Sequence, residues 1–128
     1  MTEVRPFTAQ HLDDVLRLCA AEGWPTLAAD PARATRALTA PGVTTVVALR
    51  ASRVIGFAQL LSDGEIQAYL TTLVVDHDER GGGVGRALVE EAHRLGGALR
   101  VDVLSEDEAV GFYETFRHVR KPGFRLYP

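Results

Sequence analysis

A chain of 128 residues with 46% hydrophobic side chains can bury one small core but not two, and it is too apolar for a disordered tail. Its formal net charge of -3 gives no general pull toward nucleic acid or an anionic membrane surface. No window nears the ~18 apolar residues of a membrane span, and the opening Met1-Thr2-Glu3-Val4-Arg5-Pro6 lacks the apolar run of a signal peptide. One cytoplasmic domain over residues 1–128 is expected, with neither nucleic acid nor membrane as partner and a homodimer left open.

In chain order, Thr8 caps a predicted helix over 9–22, which Gly23 ends. Leu12, Val15, Leu16 and Cys19 share a face of that helix. The sole cysteine therefore reads as core rather than as a nucleophile or metal ligand. Asp30-Pro31 supplies the cap and first residue of a second helix running to Thr39, and Pro41-Gly42 breaks it. Three strand-like runs follow at 43–50, 54–61 and 65–75, joined by short connections at Ala51-Ser52 and Asp63-Gly64. Connections this short imply antiparallel neighbours. The third run is long enough to invite a bulge or bend partway along it.

The period then changes. Val84, Ala87, Leu88, Ala92 and Leu95 mark one face of a helix that stops at Gly96-Gly97. A strand over 98–104, a helix over about 107–116 and one or two short terminal strands complete the chain. A right-handed crossover places strand 98–104 parallel to strand 65–75. The expected class is α/β (α+β), a mixed and mostly antiparallel sheet flanked by helices.

Gly81, Gly82, Gly83 and Gly85 fall directly before helical periodicity begins. Glycines there allow close approach to the backbone, and the free N–H groups of a helix start favour an anion. Arg80 and Arg86 flank the turn with charge suited to phosphate. A turn that only connects strand to helix needs one or two glycines, so a diphosphate cradle is the better reading. The nucleoside-triphosphate loop fails because Arg86 and Ala87, not lysine and a hydroxyl residue, follow Gly85. The dinucleotide fingerprint fails at its third glycine, where Arg86 or Leu88 stands.

These residues resemble the GNAT acetyltransferase family. Its signature Gln/Arg-x-x-Gly-x-Gly/Ala is matched by Arg80, Gly83 and Gly85, and Leu73-Val74-Val75-Asp76-His77 precedes it as the family's apolar strand end does. Ala109-Val110-Gly111-Phe112-Tyr113-Glu114 is similar to the family's helix after the next strand, with its Phe-Tyr pair. The resemblance covers essentially the whole chain in element order. It implies an acyl-CoA N-acetyltransferase that uses acetyl-CoA and no metal, with an unidentified small-molecule or protein amine as acceptor. Coenzyme A would be held by Gly81, Gly82, Gly83, Val84 and Gly85 with Arg80 and Arg86, its pantetheine arm lying beside the main chain of Leu73, Val74 and Val75. A main-chain N–H near Val74 would meet the oxyanion, and Tyr113 would be the general acid for the departing thiolate.

The acceptor side is less sharply drawn. Trp24, in the segment between the first two helices, is a candidate aromatic wall, and Tyr69 a second substrate contact. Thr71 and Thr72 stand where many members carry a glutamate base. A water held by Thr71, Thr72, Gln67 or Tyr69 is an alternative relay, Glu65, Glu22 and His118 are alternatives that read rather as surface residues, and no base is assigned. Glu106 replaces a common asparagine, and Arg117-His118 a common Gly-Phe. The missing carboxylate keeps a second class in view, a non-enzymatic acyl-CoA-binding or regulatory module of the same fold.

Overall fold

The computed structural model describes residues 2–128. Five strands form one sheet in the order β1-β2-β3-β4-β5: β1 Glu3–Pro6, β2 Val43–Arg50, β3 Arg53–Ser62, β4 Gln67–Val75 and β5 Arg100–Val103. The first four are antiparallel neighbours, and β4 pairs β5 in parallel. The mixed, mostly antiparallel sheet expected from the connections is what forms. The parallel pair is joined by the helix α4, Val84–Gly96, as the crossover rule requires.

Helices cover both faces. α1 (Leu12–Ala21), a single short turn α2 (Pro25–Ala28) and α3 (Pro31–Thr39) pack on one, α4 on the other. The Asp30 side chain caps α3 by accepting from the Arg33 N–H at 3.0 Å, with Pro31 at the first helical position. On the α1 face, Val15, Leu18, Cys19 and Leu38 bury against Val47, Phe57 and Val74. On the α4 face, Leu88 and Ala92 bury against Val46, Ile55, Leu60 and Leu70. Each large side chain removed from water this way contributes ~1.5–3 kcal/mol, so the sheet is fixed from both sides. Cys19 is core as expected, and burial pushes its thiol up to about 11. No helix among the described residues is long and apolar enough to cross a membrane.

Several boundaries differ from expectation. Glu3–Pro6 is an edge strand on β2, unsignalled because a four-residue run with one apolar side chain has no readable period. The first helix opens as a 3-10 turn over Ala9–His11, in which Thr8 and His11 cap each other. The last helix is a 3-10 turn, Asp107–Ala109, followed by α5, Val110–Glu114. The terminal strands do not form. Residues 117–128 are exposed and carry no strand, although Gly123 lies against Leu104. β5 offers only four residues to pair with, Pro122 removes a donor, and Phe124, Leu126 and Tyr127 find no face to bury against.

Candidate functional site

The site begins with the two halves of β4. Residues 67–70 lie between β3 and β5, in register with Arg100–Val103. Residues 71–75 keep β3 on one side and have no strand on the other. Gln59 faces Thr72 and Leu60 faces Leu70, so Thr71 is the extra residue of a bulge, the irregularity the long run invited. Beyond it Leu73 and Val75 pack toward α4 while Val74, 3% exposed, packs toward α1.

The main chain of this half-strand has a definite polarity. The Asp76 N–H donates to the Ile55 carbonyl of β3 at 2.8 Å. Strand alternation then turns Val74 toward β3 as well, which leaves the N–H groups of Leu73 and Val75 facing the open edge. The Val75 carbonyl confirms the direction, since it accepts from Arg80 Nε at 3.0 Å. The N–H groups on the open edge are therefore those of Leu73 and Val75, not that of Val74.

After β4 the chain makes a 3-10 turn, His77–Glu79. Asp76 accepts from the Asp78 N–H at 3.0 Å and pairs with Arg17 at 3.5 Å and Arg53 at 3.7 Å. The Asp78 N–H first, and the two arginines after it, hold this carboxyl below the usual aspartate range. That anchor leads into the glycine turn. Gly81 and Gly83 have φ of +83° and +86°, which only glycine adopts without strain, and a Cβ on either would meet nothing within 4 Å. The space above them is open. Gly85 serves packing instead, since a Cβ there would lie 3.2 Å from the Phe112 ring. The Gly82 N–H closes the hydrogen-bonded turn through Arg80 and Gly81. Ala87 donates to the Gly83 carbonyl at 3.1 Å, whereas the N–H groups of Gly81, Gly83, Val84, Gly85 and Arg86 find no acceptor among the described residues. This is a row of unsatisfied donors at the positive end of α4.

The flanking arginines are tied to the protein. Arg80 also pairs with Glu22, which fastens the turn to the end of α1. Arg86 donates to the Thr115 carbonyl at 3.0 Å and hydroxyl at 2.9 Å, and lies 4.0 Å above the Phe116 ring. It fastens α4 to the end of α5.

Tyr113 sits on α5, partly buried against the α4-face core and edge-on to Phe112 with ring centroids 5.0 Å apart. Burial pushes its phenol up to about 12. Tyr69 lies on β4 opposite Leu61 and Asp102. Trp24 is exposed at the start of α2, its N–H bonded to the Cys19 carbonyl at 3.0 Å. No group of three His, Cys, Asp or Glu side chains gathers as a metal site among the described residues.

Gln59 was missed in the sequence. It is 8% exposed, and its Nε2 donates to the Ala37 carbonyl of α3 at 2.9 Å. Its Oε1 accepts from the Thr71 hydroxyl at 2.6 Å, and the Thr72 hydroxyl lies 3.4 Å from that of Thr71. The available signal was one amide inside the otherwise apolar run of β3.

A family model described as acetyltransferase (GNAT) domain matches residues 6–123. A search of curated proteins finds no significant match. Among solved structures, an acetyltransferase from Trypanosoma brucei is 25% identical, with a TM-score of 0.75, covering 98% of this chain and 100% of its own. A GNAT-family acetyltransferase from Streptococcus pneumoniae is 24% identical, with a TM-score of 0.77 and coverage of 100% and 98%. A transcriptional regulator from Bacillus halodurans shares the fold at 15% identity, with a TM-score of 0.81 and 99% coverage of both chains.

Proposed function

The chain belongs to the acetyltransferase (GNAT) domain family, and from that premise we propose that it transfers an acetyl group from acetyl-coenzyme A to a primary amine. The observation that carries the reading is continuity. The unpartnered edge of 71–75 leads, through one turn, to the free N–H groups at the start of α4. A ligand with a diphosphate at one end and an amide-bearing arm at the other matches both. The diphosphate meets the donors at the α4 N-terminus, over the open space at Gly81 and Gly83. The pantetheine arm adds to the edge as a short strand, pairing with Leu73 and with the Val75 N–H, while Arg80 keeps the Val75 carbonyl. The thioester then lies near the Thr71 bulge.

In the transfer, the amine lone pair attacks the thioester carbon and the C–N bond forms. The carbonyl oxygen becomes an oxyanion, and the Leu73 N–H is the nearest main-chain donor on the open edge. The C–S bond breaks, its electron pair goes to sulfur, and the proton lost by the amine balances the thiolate. Tyr113 stabilises that sulfur by a hydrogen bond. A phenol at about 12 gives up its proton reluctantly to a thiolate whose acid has a pKa of ~8.5. Its contribution is therefore a bond that strengthens as charge develops, rather than complete proton delivery.

A second reading, an acyl-CoA-binding module without turnover, draws on the neutral pair Thr71 and Thr72 where a carboxylate base would otherwise stand. One experiment separates the two. Acetyl-CoA should raise the melting temperature, and thiol should be released when an amine panel is added. A thermal shift with no thiol release on any amine selects the binding module, and no shift at all removes both readings.

A further inference from the structure

The side chains beside the thioester position form a hydrogen-bond chain with a fixed direction. The Ala37 carbonyl can only accept, so the Gln59 group facing it at 2.9 Å must be the NH₂. That orientation turns the Gln59 carbonyl oxygen toward Thr71. An amide oxygen can only accept, so the Thr71 hydroxyl proton is committed to it at 2.6 Å. What Thr71 has left is lone pairs. Its oxygen sits on the bulge where β4 has lost its β5 neighbour; the Gln59 main-chain carbonyl, 3.2 Å away, is a second acceptor for the same proton, and the Thr72 hydroxyl lies 3.4 Å off.

Such a group accepts a hydrogen bond from a nitrogen but cannot take a proton from it at neutral pH. The charged groups of the surrounding elements do not supply a base either. Glu22 is paired with Arg80, Arg100 of β5 donates to Gln67 at 2.6 Å, Asp102 and Arg36 are exposed, Glu65 lies in the exposed turn before β4, and the exposed His118 is bonded to the Phe116 carbonyl at 2.8 Å. None of them hydrogen-bonds Thr71 or Thr72. The amine must therefore arrive without its extra proton.

We propose that this site acts on amines of low basicity, the α-amino groups of peptides and aryl amines, and that Gln59 is the positioning residue that holds Thr71 as their hydrogen-bond acceptor. The proposal rests on the acetyltransferase reading. A lysine ε-amine, with a pKa of about 10.4, is almost wholly protonated at pH 7, whereas an α-amine of about 7.7–8.0 is neutral for roughly a tenth of the time. Attack by the neutral amine forms the C–N bond, breaks C–S and passes the nitrogen's proton to sulfur or water. No protein base intervenes.

The test uses the whole chain, acetyl-CoA and three probes, with thiol release as the readout. The first is a lysine-free peptide with a free N-terminus. The second is an N-blocked peptide of the same length with one lysine, and the third is 4-methylaniline. At pH 7 the free α-amine should exceed the lysine probe in kcat/KM by about 10²-fold, following the neutral fractions. Activity should rise with pH toward each probe's own pKa without an inflection from the protein. Thr71→Val should lower kcat/KM for the α-amine by about tenfold, the range for one lost hydrogen bond, and Thr71→Ser should restore it. Gln59→Met should follow Thr71→Val while acetyl-CoA affinity stays unchanged, which a general loss of structure would not spare. Equal or better use of the lysine probe at pH 7, or a protein inflection below that pH, overturns the proposal and leaves the acetyltransferase intact. Acetyl-CoA binding with no turnover of any probe overturns the proposal together with the enzymatic reading.

Discussion

The two halves of the proposed site, for coenzyme and for acceptor, are built from different materials. On the coenzyme side the proposed contacts are main chain: the free donors at the start of α4 and the open edge of β4. On the acceptor side they are side chains, with Gln59 on β3 and Thr71 and Thr72 on β4 meeting through the β-sheet register and fixed by a carbonyl of α3. A main-chain cradle asks only that side chains stay out of the way, so it tolerates one general ligand. A side-chain cluster discriminates, because each hydroxyl or amide offers a donor or an acceptor in one direction only. On this proposal the binding half is generic, and the side-chain half is the one that can select an acceptor.

The sharpest way to break the coenzyme half is to put a side chain into it. Gly83 sits at φ +86° with nothing within 4 Å of a Cβ. Gly83→Val should eliminate the acetyl-CoA thermal shift, because the branched side chain occupies the space over the donors and disfavours the left-handed backbone. The backbone cost alone is ~1–2 kcal/mol, so the ligand-free melting temperature must be measured beside it. A folded variant that binds acetyl-CoA as well as the parent would remove the turn from the binding site.

The next effect lies where the two halves meet. Tyr113→Phe keeps the ring against Phe112 and the core and removes only the hydroxyl. If that hydroxyl steadies the departing thiolate, kcat should fall about ten- to a hundredfold, the worth of a hydrogen bond to a charged group of ~1.5–3 kcal/mol. Acetyl-CoA affinity should hardly change. The pH behaviour gives a second check. The folded phenol is raised above its ordinary value of ~10, so it stays protonated across the working range and puts no descending limb on the rate below that pH. By the same sign, the stability linked to the protonated phenol is present below ~10 and is lost as pH rises through about 12. A spectroscopic phenol titration that reaches its midpoint near the ordinary value would contradict the burial on which this role rests.

The same division explains what could be read in the sequence. Gly81 and Gly83 announce the proposed cradle locally, because positive φ under open space calls for glycine, while Gly85 answers the close approach of Phe112. The meander and the parallel crossover follow from connection lengths, and the bulge from a run too long to stay regular. Gln59 and Thr71 are twelve positions apart in sequence and meet only through the β3–β4 register, which no local pattern reports. The terminal residues failed for the opposite reason. Phe124-Arg125-Leu126-Tyr127 alternates as a strand does, but a strand needs an edge long enough to pair with, and β5 ends at Val103. Local pattern names a candidate; a neighbour decides it.

The smallest effects concern the two arginines, and they refine the comparison because both are side chains on the main-chain half. Each already has partners: Arg80 holds Glu22 and the Val75 carbonyl, and Arg86 holds Thr115 and stacks on Phe116. A guanidinium engaged this way has to give up those contacts to form a bidentate bond with phosphate, or act on it at a distance through solvent. Either route discounts its contribution, and exposed ion pairs are worth only ~0–1 kcal/mol. Arg80→Ala and Arg86→Ala should therefore each weaken acetyl-CoA binding by no more than about tenfold, with the loss shrinking as salt is raised. Titration calorimetry with acetyl-CoA and with its 3′-dephospho form would show whether either arginine reads the outer phosphate. A loss well beyond tenfold in Arg80→Ala, in a protein that still melts like the parent, would mean that Arg80 leaves Glu22 for the diphosphate. The cradle would then be a side-chain site as well, and the division between the two halves would fail at that residue.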